Sequence, residues 1–290
     1  MKDLFTTGFF HFSVSKYFCL ICLNFPATKY SCQFFAAVFM LVPMKALSFL
    51  VALLLFSANE VLKAADAVPA AKIRVLLITG GHGFEKQQFF QLFRTNTELS
   101  VIEKEHPNAD AMFKSDRAGE YDVIALYDMR QDSSEQAKAD FIARLKEGKG
   151  LVVLHHALCS FQKWPEYIKI IGGQYHLDKT VVSGVEKPAS SYKHGMHWKI
   201  QVADTNHPVT RGIKDFEIDD ETYKDFEVLS DSHPLLTTDE PTSTKTIAWT
   251  RSYEGARVVY IQLGHDHTAY DNPNYQQLLR QAIRWAAKRD

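Results

Sequence analysis

"GKGLVVLHHALCSF", residues 148–161, decides the architecture. Leu151-Val152-Val153-Leu154 is a short, β-branched-rich block behind the glycines at 148 and 150, with no polar residue alternating through it. A block of this kind is a strand covered on both faces, as in a parallel sheet. His155 and His156 follow where that strand runs out into a loop, and open α/β sheets bind ligands outside the carboxyl ends of their strands. One histidine there is equally well read as a capping or solvated group. The position gains meaning only if other strand ends bring polar groups to the same edge.

Working outward, the neighbouring segments repeat the pattern. "KIRVLLITGG" (72–81) is a buried strand entering a glycine turn, and "FEKQQFFQLFRTN" (84–96) is a helix with Phe84, Phe89, Phe90 and Phe93 as its apolar positions. "LSVIEKEH" (99–106) and "YDVIALYD" (121–128) are further strands. "SSEQAKADFIARLKEGKG" (133–150) is a helix with Ser133 or Ser134 as N-cap and Gly148 beyond its end. Strands alternating with helices call for a parallel sheet with helices on both faces, an α/β fold. After Trp164 the rhythm changes: a helix ends at Gly172-Gly173, a strand spans 198–202, and "FEIDDETYKDFEVL" (216–229) is short and acidic. A hairpin turns about Glu254-Gly255, and 272–290 is a final amphipathic helix.

The chain has 290 residues, 46% hydrophobic and 23% charged, with a formal net charge of -1, so it lacks the basic footprint of a nucleic-acid binder. Its first 43 residues are rich in aromatics and cysteine and follow no amphipathic period. From Met44 there follow Lys45 as a positive n-region, Ala46–Phe56 as an apolar h-region and Ala65-Asp66-Ala67 as an A-x-A cleavage site. This predicts an internal start at Met44, a signal peptide over 44–67, an upstream extension over 1–43 outside the fold, and a domain over 72–290. An anchor joining residues 34–56 is the rival, since about 20 apolar residues span a bilayer, but Pro43 and Lys45 interrupt it. The expected protein is exported, periplasmic or extracellular, with no stable membrane association after processing. N-terminal sequencing from the native host should find a mature end near Val68; a chain beginning at Met1 would overturn the export reading. The remaining cysteine, Cys159, forms no disulfide framework.

Four strand ends or following turns carry polar groups: Gly80-Gly81-His82-Gly83, Tyr127-Asp128, His155-His156 and Gly264-His265-Asp266-His267. In a parallel sheet these converge on one edge, the default place for a site. The glycine turn is neither a dinucleotide fingerprint nor a P-loop, because the further glycine, the acidic partner and the Lys-Ser/Thr are missing. It is either a plain tight turn or a permissive one at which a ligand approaches backbone N–H groups. Cys159 lies several residues beyond the strand with no glycine beside it, which is unlike a nucleophile elbow, and reads as a small buried hydrophobe.

The order "VLLITGGHGFE", "GLVVLHHA", "IGGQYH", "HPVTRGI", "DDETY" and "WTRSYEGARVVYIQLGHD" resembles the ThuA-like (trehalose-utilisation) family from Lys72 to the C-terminus. The resemblance implies a flavodoxin-like domain of the class I glutamine amidotransferase-like superfamily, with a mainly parallel sheet and no glutaminase cysteine. It carries His82, His155, His176, Asp220-Glu221-x-Tyr223 and Gly264-His265 over as motif positions; His156 stands where small residues are commoner in the family. It also implies a sugar substrate, a glycoside or its 3-keto derivative. A ketone at C3 acidifies the C2 proton, and the glycosidic oxygen at C1 is a leaving group one carbon beyond. His155, His265, Glu221 and Asp220 are therefore expected to do acid–base work, with Gly80, Gly81, His82, His156, His176, Tyr223 and Gly264 binding substrate. No cofactor is required by this chemistry. Two alternatives stay open: a divalent metal held by histidines and carboxylates from distant loops, and a noncatalytic sugar-binding module stacking on Trp164, Tyr175, Tyr223 and Trp249. Homo-oligomerisation is left open too.

Overall fold

Residues 73–154 alternate strand and helix as their apolar blocks predict: β1 (Ile73–Gly80), α1 (Lys86–Arg94), β2 (Leu99–Glu105), β3 (Val123–Asp128), α2 (Glu135–Lys146) and β4 (Gly150–Leu154). The computed structural model describes residues 71–182 and 184–290; the expected extension, start and signal peptide over 1–67 lie outside the described residues. Ser134 caps α2 by accepting the Ala137 N–H. Next come α3 (Pro165–Ile171), β5 (Gly173–Gln174), a hairpin of β6 (Thr180–Val182) and β7 (Val185–Lys187), and the long β8 (Ser191–Val202). The chain closes with β9 (Phe216–Lys224), β10 (Glu227–Val228), β11 (His233–Thr237), β12 (Thr246–Tyr253), β13 (Ala256–Ile261), α4 (His267–Tyr270) and α5 (Pro273–Ala286).

Nine strands form one mixed sheet in the order β2-β1-β3-β4-β13-β12-β11-β8-β9. The first five are parallel, and from β13 onward each neighbour is antiparallel. This is an α/β flavodoxin-like fold. One face of the parallel part, with Val75, Leu77, Val123, Val152 and Val259, packs on Phe89 and Phe93 of α1 and on Leu278 and Ile283 of α5. The other, with Leu76, Ile124, Leu151, Val153 and Val258, packs on Phe141 and Leu145 of α2 and on Ile170 of α3. Each such aliphatic side chain contributes about 1.5–3 kcal/mol when fully buried, so the sheet is held without cross-links. The β12–β13 hairpin turns at Glu254, whose φ is 50°, beside Gly255.

The segment that reads as short and acidic, 216–229, begins with the nine-residue strand β9. Phe216 and Ile218 point inward while Glu217 and Asp219 point to water, an ordinary two-residue period. Asp220 through Tyr223 are then all buried, which acidic residues tolerate only with polar partners. Those partners build the site.

Candidate functional site

Because β1, β3, β4 and β13 are parallel, the turns that follow them share one edge of the sheet. Immediately after β4 the chain enters a 3-10 turn over His155–Cys159, and His155 takes a left-handed φ of 48°. A non-glycine residue is rarely held there unless its surroundings over-determine it. Here they do. The buried His155 ring donates from Nδ1 to the Gln262 carbonyl at 2.6 Å, stacks on Tyr223 at 4.9 Å, and its own carbonyl accepts from the Tyr260 hydroxyl at 3.2 Å. With Nδ1 committed to that carbonyl, Nε2 is the ring nitrogen left to face the centre.

That nitrogen faces Glu221 Oε2 at 3.0 Å, His265 Nδ1 at 3.3 Å and the Tyr223 hydroxyl at 3.0 Å. His265 Nδ1 is 3.3 Å from the same carboxylate oxygen, and His194 Nδ1 is 3.1 Å from the other, Oε1. One buried carboxylate thus gathers three imidazoles from β8, the β4 turn and the β13 turn. Burial alone would raise the pKa of Glu221, but hydrogen bonds from His155 and His265 overcome it and hold the carboxyl well below its usual range. Reciprocally, the hydrogen bond to Glu221 raises the pKa of His265 despite partial burial.

Asp220, the neighbouring acid, has a different task. Its Oδ2 accepts the Gly264 N–H at 2.8 Å, and its Oδ1 accepts those of His265 at 3.0 Å and Glu221 at 2.8 Å. The side chain is fully buried, so burial pushes its pKa up while those amides favour the carboxylate. Both oxygens accept from backbone N–H groups, so Asp220, of which acid–base work is expected from the sequence, holds the His265 turn in this structure. Gly264 completes the clamp with a φ of 111°; a Cβ there would stand 2.3 Å from the Tyr275 hydroxyl oxygen.

The remaining expected residues fall into two groups. His82 lies at the rim with its ring 4.6 Å from that of His156, and shielding from water lowers its pKa. His156 is buried between His82 and Tyr127, its pKa driven well down by burial. Both belong to the neighbourhood of the centre. His176 does not join the trio: its partners are Glu227 at 3.5 Å and, through its backbone N–H, Ser190 at 2.9 Å. Asp128 faces His106 at 3.4 Å, while Tyr127 donates to the Gly264 carbonyl at 2.8 Å as a support. Gly80 and Gly81 serve close backbone approach: the Met129 N–H donates to the Gly80 carbonyl, and a Cβ on Gly81 would come within 2.6 Å of the Met129 carbonyl. Tyr223 is buried beneath the centre, with its hydroxyl on His155. Of the aromatics expected to stack on sugar in a binding module, Trp249, Tyr175 and Tyr223 are buried in the core and Trp164 packs at its margin.

Sequence reasoning missed His194. The signal lies in Gly195, whose φ of 62° sits at the bulge between Lys193 and Met196, where the strand is re-aimed. Cys159 is buried, and burial pushes its thiol pKa up, so no thiolate is available near neutral pH. Cys159→Ser should leave activity within about twofold, and iodoacetamide should not inactivate the native protein; inactivation tracking modification of Cys159 would refute this.

A flavodoxin-like sheet carrying a His-Glu-His centre at its carboxyl edge, with Cys159 buried in the core, defines the class. The family model for trehalose utilisation, ThuA, matches residues 74–286, and the chain belongs to that family. Two solved structures share its fold. A ThuA-like protein from Parabacteroides merdae has a TM-score of 0.62 at 22% identity, covering 74% of this chain and 90% of its own. A second, from Bacteroides uniformis, has a TM-score of 0.59 at 18% identity, covering 76% of this chain and 94% of its own. No curated protein matches the chain at significant similarity.

Proposed function

We propose that this ThuA family member is an exported enzyme of carbohydrate catabolism that transforms a glycoside or 3-keto-glycoside at the Glu221 centre. The observation that carries this reading is the convergence of His155, His265 and His194 on one buried carboxylate at 3.0–3.3 Å. Glu221 favours the protonated form of His265, and such a group, pre-positioned and partly shielded from bulk water, stabilises charge developing on a substrate oxygen. A keto-sugar supplies that oxygen. In the elimination a base takes the C2 proton, the C1–C2 double bond forms as the C1–O bond breaks, and the leaving oxygen takes up a proton. In this reading His82, at the rim and expected from the sequence to bind substrate, serves as the base, and its lowered pKa favours the neutral ring. Buried aromatics leave the binding-module alternative with little support.

The direct test incubates the purified protein with a 3-keto derivative of trehalose and follows release of free glucose. Turnover supports the reading. Saturable binding of the keto-sugar with no product would overturn it in favour of a binding protein.

A further inference from the structure

The trio His155, Glu221 and His265 presents three Lewis-basic atoms to one point. Nδ1 of His155 is spent on the Gln262 carbonyl, which leaves Nε2 as its ligand atom, and Glu221 turns Oε2 toward the same point. The separations are 3.0 Å for His155 Nε2 to Glu221 Oε2, and 3.3 Å from each of these atoms to His265 Nδ1. Ligands about 2.1 Å from a tetrahedral ion are separated from one another by roughly 3.4 Å. The triangle is therefore almost the size that one small cation imposes on three of its ligands. The groups that would hold these ligands in place are also present: the Gln262 carbonyl orients His155, Asp220 fixes the turn carrying His265, the Tyr223 hydroxyl meets His155, and His194 flanks the carboxylate. The three residues come from a strand end, a strand and another turn, separated by 66 and 44 positions as counted from the sequence, so no local metal motif announces them.

We propose that His155 Nε2, Glu221 and His265 Nδ1 bind one first-row divalent cation of the zinc type. Two imidazoles with one carboxylate suit such an ion better than magnesium or calcium, which favour all-oxygen sets. Three protein ligands leave a coordination position unfilled, the arrangement of catalytic sites as opposed to closed structural ones. His265 is partly exposed and His194 more so, which puts the open side toward the rim. The inference rests on the reading of this centre as the place where sugar reacts, and names the electrophile there: a cation in place of the proton shared among these groups.

The test strips the full chain with a chelator and titrates it with Zn²⁺ in a calorimeter, then with Co²⁺ by visible absorption. One Zn²⁺ per chain is expected, with intense low-symmetry Co²⁺ bands. His265→Ala and Glu221→Gln should each weaken Zn²⁺ binding at least tenfold and change the Co²⁺ spectrum. His233→Ala, an exposed histidine paired with Asp204 outside the centre, should bind as the parent does. Should Glu221→Gln fail to fold, the partly exposed His265→Ala carries the comparison. Absence of 1:1 binding, or parental affinity in both variants, overturns the cation site. The two readings fail separately: keto-sugar turnover that survives chelation without bound Zn²⁺ removes the cation alone, and 1:1 binding at the trio without sugar turnover removes the sugar chemistry alone.

Discussion

Glu221→Gln is expected to lower turnover of a keto-glycoside by about 10²–10⁴-fold, the range seen when a proton-transferring or charge-stabilising group is removed. The substitution keeps the shape of the side chain and deletes its charge. Every imidazole of the centre is oriented by that charge: His155 and His265 through Oε2, His194 through Oε1. A neutral amide offers one acceptor oxygen and turns an NH₂ toward whichever ring it no longer accepts from. Both the proton held on His265 and any cation held by the trio lose their counter-charge. His155→Ala is a poorer probe than the sequence suggests. A loop-end imidazole would leave stability almost unchanged, but this ring is fully buried, and its removal orphans the Gln262 carbonyl and opens space beneath Tyr223. Loss of activity in that variant would mix unfolding with chemistry. Glu221→Gln, checked by circular dichroism for a native fold, separates them; turnover within about threefold of the parent would show that the carboxylate is not the centre of the reaction.

The parts of this molecule legible in its sequence are those whose physics is local. Residues 75–78, 123–126 and 151–154 are apolar without alternation because the sheet is covered on both faces there, and that pattern places them at its centre. Because β13 lies parallel beside β4, the turns after these two strands share an edge, and His155 and His265 meet there. What stayed hidden depends on the antiparallel half of the sheet. Nothing local shows that β9 delivers Glu221 to the edge reached by the β4 and β13 turns, or that a bulge aims His194 at it. The adjacent acids Asp220 and Glu221 look equivalent in sequence. Alternation along β9 sends one to backbone amides and the other to imidazoles, so their roles differ through geometry alone.

Asp220→Ala tests that division of labour, and its main effect is expected on stability. The substitution withdraws the acceptor from the Glu221, Gly264 and His265 N–H groups. A buried donor left without a partner costs about 1–3 kcal/mol, so the loss should reach at least ~2 kcal/mol even if water reaches the His265 amide. In a domain of about 220 residues each kcal/mol lowers the melting midpoint by roughly 2–4 °C, which predicts a fall of at least about 4–8 °C. The turn cannot simply relax onto other partners: Gly264 occupies a φ of 111°, and its carbonyl is held by Tyr127. Activity should fall as well, because His265 leaves its place beside Glu221. Asp220→Asn discriminates between clamp and proton carrier. Its remaining carbonyl oxygen can still accept from part of the turn, so a clamp predicts intermediate melting and activity partly restored relative to Asp220→Ala. An Asp220→Asn protein that melts like the parent yet is as inactive as Asp220→Ala would show that Asp220 carries a catalytic proton after all. The physical case against that outcome is the occupancy of both its oxygens, since a carboxylate that accepts three backbone N–H bonds has little capacity left to meet a substrate.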